Sequence, residues 1–70
     1  MPNYAYGPIA NGAITIVEQE CSYTMTEAQL IEQIADLRAS HNEYSNEELY
    51  CGCLAMLEGA LELLKQENAA

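Results

Sequence analysis

Residues 4–17 read YAYGPIANGAITIV, and this stretch decides the fold. At its centre stands Asn11-Gly12, the strongest short hairpin signal, because a type I′ turn needs positive φ at both central positions. The run Ala13-Ile14-Thr15-Ile16-Val17 that follows is rich in β-branched residues, which suit a pleated strand. Residues 3–18 are therefore expected to form a β-hairpin. Counting outward from the turn sets Ile9 opposite Ile14 and Tyr6 opposite Val17. Pro8 has no amide proton to give to a ladder, so the first strand belongs on an edge. A lone hairpin is marginal in water. It must pack on the rest of the chain or pair with a further strand, including one from a second subunit.

Downstream the period changes from two to that of a helix. Residues 27–40 are expected to be helical. Thr26 and Gln29 have the spacing of a capping box, and Leu30, Ile31, Ile34 and Leu37 recur on one face. Gln29, Glu32, Gln33 and Asp36 take the other. His41-Asn42-Glu43-Tyr44 reads as a short loop. Residues 46–67 then form a longer helix, with Ser45 and Glu48 as a second capping box. The short connection makes the helices an antiparallel αα-hairpin. The expected fold is α+β, a β-hairpin followed by two helices (ββαα), in one small domain over residues 1–70.

The second helix carries a wide apolar surface. Leu49, Cys53, Met56, Ala60 and Leu63 form one flank; Tyr50, Leu54, Leu57, Leu61 and Leu64 form the next. An ordinary surface helix has a narrower stripe. The first helix covers one flank. The other either meets the hairpin or forms a subunit interface, and the chain's small size favours a homodimer built on Tyr50, Leu54, Leu57, Leu61 and Leu64. Gly52, Ala55 and Gly59 make a strip of small residues. Each glycine costs a helix about 1 kcal/mol relative to alanine, so two of them signal a close approach or a tolerated weakness.

Charge is the unusual feature of the composition. Eleven Asp and Glu stand against two Lys and Arg, for a net charge of −9 in 70 residues. Nucleic acid and anionic lipid are bound by Lys and Arg that displace counterions, so neither is an expected direct partner. A basic protein is, because the field steers it in; the alternative is that the acid serves solubility alone. No apolar run is long enough to span a bilayer, and no signal-peptide pattern opens the chain. The odd count of three cysteines argues against a closed disulfide framework. Together these readings make the cytoplasm the expected compartment.

Few constellations could carry chemistry. Cys21, His41, Cys51 and Cys53 are the only Cys/His set for zinc, but side chains two apart on a helix diverge by ~200°, so no metal or cofactor is expected. A Cys–His pair, His41 with Cys51, lacks any marked oxyanion hole or orienting group, and the chain reads as a non-enzyme. Glu58 and Glu62 stand at i, i+4, with Glu47 further along the same face, and Glu32 and Asp36 repeat the pattern on the first helix. These carboxylates are either a solvated face or a surface for a basic groove. Arg38 lies near the apolar stripe and must snorkel or pair with a carboxylate, within the chain or across a dimer. Tyr4 and Tyr6 share one strand face and are candidates for partner contact, since tyrosine offers apolar area with a polar tip.

In size and negative charge the chain resembles, as a class and at no particular residue, phage-encoded inhibitors of bacterial defence, including anti-CRISPR proteins and other nucleic-acid mimics. That resemblance implies a viral protein that blocks a nucleic-acid-binding partner. The expected function is thus a small acidic inhibitor, with Glu32, Asp36, Glu47, Glu58, Glu62, Tyr4 and Tyr6 as its partner surface. An assembly protein acting through self-association is the first alternative. An oligomer with a small-ligand pocket near Arg38 and the hairpin is the second.

Overall fold

The computed structural model describes residues 4–69, so the expected strand start at residue 3 lies outside them. Three strands come first, β1 (Tyr4–Ala10), β2 (Ala13–Glu18) and β3 (Ser22–Thr26). Helix α1 (Glu27–Ala39), a 3₁₀ turn (His41–Glu43) and helix α2 (Glu47–Ala69) follow. The fold is α+β with a long second helix, as expected. It differs in one element, because the hairpin is extended by β3 into a three-stranded antiparallel meander in the order β1-β2-β3.

The first turn forms as its residues require, with Asn11 at φ 55° and Gly12 at φ 75°. Ile9 faces Ile14. Beyond that pair the register shifts, and Tyr6 stands opposite Ile16 rather than Val17. The cause is a β-bulge, in which Gly7 and Pro8 together face Thr15. Pro8 has no N–H to place in the ladder, so the irregularity falls where pairing is already lost. A one-residue slip moves side chains to the opposite face. Here it brings Tyr4 and Tyr6 onto the face shared with Ile9, Ile14 and Ile16, which packs on the helices.

β3 carries no turn signature ahead of it. Glu18 N–H donates to the Cys21 carbonyl at 2.8 Å and closes a tight connection through Gln19 and Glu20. The strand then alternates, with Tyr23 and Met25 packed on the core and Ser22, Thr24 and Thr26 exposed. This makes β2 the central strand, with β1 on an edge where Pro8 is tolerated.

Thr26 ends β3 and caps α1 with both bonds of the capping box. The Gln29 amide donates to Thr26 Oγ1 at 3.3 Å, and Thr26 N–H donates to Gln29 Oε1 at 2.9 Å. The helix buries Leu30, Ile34 and Leu37. Ile31, assigned from the sequence to the same stripe, is 50% exposed. α2 starts one residue later than expected, and the Ser45–Glu48 capping box does not cap it. Asn46 does, accepting from the Leu49 amide on Oδ1 at 3.2 Å.

The core lies between the sheet and the two helices. Ile14, Ile16, Leu30 and Leu64 are its fully buried large side chains, joined by Tyr50, Met56, Leu57 and Ala60. Fully burying a side chain of this size is worth ~1.5–3 kcal/mol. Tyr50, Leu57 and Leu64, offered above to a second copy, are thus spent inside the protomer, and Leu54 and Leu61 are half-buried beside them. The sheet and α1 together cover most of the wide apolar surface of α2, but Leu49 (56%) and Leu63 (37%) of the first flank remain exposed. Among the described residues, no helix is long and apolar enough to cross a membrane.

Candidate functional site

The tyrosines turn inward. Tyr6 Oη donates to the Met56 carbonyl at 2.7 Å, and its ring lies against Gly59. A Cβ at position 59 would collide with that hydroxyl, whereas a Cβ at Gly52 would meet nothing within 4 Å. Of the small-residue strip, Gly59 alone admits a close approach, and the guest is the chain's own hairpin. Tyr4 packs on Tyr6 with ring centroids 5.5 Å apart. Burial, and then the hydrogen bond and charge of Tyr4, push the Tyr6 phenol up to about 12. Tyr4 and Tyr6 are therefore pieces of the sheet–helix packing rather than a free aromatic surface.

His41 and Cys51 do come near each other, but in an order that does not serve nucleophilic catalysis. His41 Nε2 lies 3.0 and 2.9 Å from the two carboxylate oxygens of Glu47. Its ring stacks on Tyr50 at 3.9 Å, and Tyr44 meets Tyr50 edge-on at 5.6 Å. Cys51 Sγ points to the same Glu47 carboxylate from 4.0 Å. A base must touch the nucleophile whose proton it takes. In this line the carboxylate stands between thiol and imidazole. Cys21 sits far along the chain in the β2–β3 connection, its thiol 3.6 Å from Glu18 Oε2. Its pKa is raised by desolvation and then by that carboxylate. Cys53 is half-buried against the core. Among the described residues, no three His, Cys, Asp or Glu side chains cluster as metal donors.

Two of the surface clefts lie along the helices. One, of about 570 Å³, lies between the sheet and the helices and is lined by Tyr23, Met25, Tyr44, Cys53 and Met56, with Glu18 at its rim. Tyr23 Oη points to Met56 Sδ at 3.8 Å, and burial, then Glu18, raises its pKa. The other is a groove of about 390 Å³ between α1 and α2. Arg38, Lys65, Glu58 and Glu62 line it over Ile31, Ile34 and Leu61. Arg38 pairs with Glu58 within the chain at 2.6 Å. Both side chains are exposed, and such a pair contributes ~0–1 kcal/mol.

The expected acidic row is thereby divided. Glu58 and Glu62 belong to the groove, Glu47 to the His41 contact, and Glu32 and Asp36 stand exposed on α1. No carboxylate among the described residues is buried. The distribution of cations was not foreseen. The chain's only two Lys and Arg, Arg38 and Lys65, both line the one groove. Two of the eleven acids line the groove with them, and the other nine do not. The i to i+7 spacing of Glu58 and Lys65 was readable, but Arg38 comes from another helix. No family model matches the chain, and neither does any curated protein or solved structure at a meaningful level of similarity.

Proposed function

We propose that this protein is a small acidic binding module, not an enzyme, and that it inhibits a basic, nucleic-acid-binding protein by occupying its phosphate-binding surface. The observation that carries this reading is the segregation of charge. Nine exposed or half-exposed carboxylates lie outside the one groove that both Lys65 and Arg38 line. Fixed carboxylates present the charge that a basic groove is built to receive, and they speed encounter with it. Glu32 and Asp36, exposed one turn apart on α1 and outside either ion pair, are the residues assigned to first contact. The non-catalytic reading is supported by the Cys51–Glu47–His41 order.

The test is capture from bacterial lysate with tagged protein, at low and high salt, beside the Glu32→Lys, Asp36→Lys double variant. The expected result is a basic protein retained by the wild type, released by salt and about tenfold or more weaker on the variant. Equal retention by both, or recovery of no basic protein, removes this reading and leaves self-assembly as the function.

A further inference from the structure

We propose that a second copy of this chain docks on the groove between α1 and α2, so that two helix pairs face each other with a sheet on either outside. The argument begins from charge. The nine acids outside the groove make most of the surface repel a second copy. The groove is the exception, because Arg38 and Lys65 there balance Glu58 and Glu62. A two-fold interface uses the same patch twice and must be complementary to itself. A patch with two charges of each sign meets that demand, since the cations of one copy face the carboxylates of the other.

The groove also supplies apolar contact. Ile31 is 50% exposed and Leu61 is half-buried beside it. Ile31 lies off the stripe that α1 buries against its own core, and the fold gives it no packing role that its exposure would reflect. A basic protein would prefer the uncompensated carboxylates elsewhere, and an acidic ligand would meet Glu58 and Glu62. A second copy is the occupant that this mixed lining suits.

Other routes to a dimer are poorer. The β1 edge is interrupted by Pro8 and the bulge. The β3 edge is short, and the Thr26 N–H at its end is already given to Gln29. α2 buries Met56, Leu57, Ala60 and Leu64 within the protomer, and its exposed Leu49 and Leu63 line no part of the cation-bearing groove. This inference stands apart from the inhibitor reading, because the groove holds neither Glu32 nor Asp36.

Sedimentation velocity over a micromolar to submillimolar range tests it. The wild type is expected to approach twice the 7.7 kDa of one chain. Ile31→Asp should sediment as a single chain with an unchanged circular dichroism spectrum, because the side chain is already half exposed. Lys65→Glu, which breaks the charge balance, should raise the dissociation constant by about tenfold. Val17→Asp, at a 41% exposed position on the sheet, should keep the doubled mass. A wild type of single-chain mass throughout overturns the proposal. So does an Ile31→Asp variant that stays doubled, or a Val17→Asp variant that alone dissociates.

Discussion

Tyr6 reaches α2 because Gly7 and Pro8 together face Thr15. In an unbroken ladder it would stand opposite Val17, on the face away from the helices. The contact it makes instead depends on a position with no side chain, Gly59. Two substitutions separate that role from ordinary helix propensity. Gly59→Ala must displace the Tyr6 hydroxyl and should destabilise the fold by ~1–3 kcal/mol, as overpacking does. Gly52→Ala meets open space and should stabilise it by ~0.5–1 kcal/mol, because alanine is the better helix former. Urea midpoints of the two variants decide this, and a shift of the same sign in both would contradict the packing described. The same tyrosine sets an alkaline limit. Its phenol is raised from the ordinary 10.0 to about 12, first by burial and then by Tyr4. A raised folded-state pKa gives stability that is whole below pH 10 and lost as pH climbs toward 12, because the unfolded chain ionises first. Urea midpoints measured through that window should fall, and Tyr6→Phe should fall by less. An equal fall in both would place the titration elsewhere.

At the scale of elements, the legible parts were those with strong local chemistry. Asn11-Gly12 announced the first hairpin, and Thr26 with Gln29 announced the start of α1. The bulge was not legible. Pro8 marked an edge strand, but nothing local says whether a strand beside a proline keeps its count or gains a residue. β3 was missed because its turn, Gln19-Glu20, has no Gly, Asn or Pro, and because five residues alternating Tyr and Met with Ser and Thr are a weak signal. Its pairing is settled by β2, a long-range partner. The cap of α2 failed for another reason, since Ser45 and Asn46 are adjacent good caps and spacing alone favours the wrong one. Asn46→Ala should therefore cost ~1 kcal/mol. Ser45→Ala should stay within ~0.5 kcal/mol, as surface substitutions do. Thermal denaturation of both variants checks the assignment, and the reverse order would restore Ser45 as the cap. In the core, Ile14→Ala should cost ~2–5 kcal/mol, because the side chain is fully buried on the central strand.

For the whole molecule, the amount of charge could be read from composition, but its placement could not. Counting predicted an acidic surface. It could not bring Arg38 of one helix and Lys65 of the other into one groove, because that needs the packing of α1 on α2. Nor could helical spacing tell that Glu47 and Glu58 are engaged by His41 and Arg38, while Glu32 and Asp36 are in neither ion pair. The resulting molecule has two kinds of surface, a charge-balanced groove and an acidic remainder, which we propose serve its own copy and a basic partner. The most direct test of the second is competition. The basic protein captured by the wild type is given its nucleic acid, and this protein is titrated in while the bound fraction is followed by electrophoretic mobility. Release of the nucleic acid by the wild type, and about tenfold less effective release by the Glu32→Lys, Asp36→Lys variant, is the predicted result. A stable complex holding partner, nucleic acid and this protein together would contradict it.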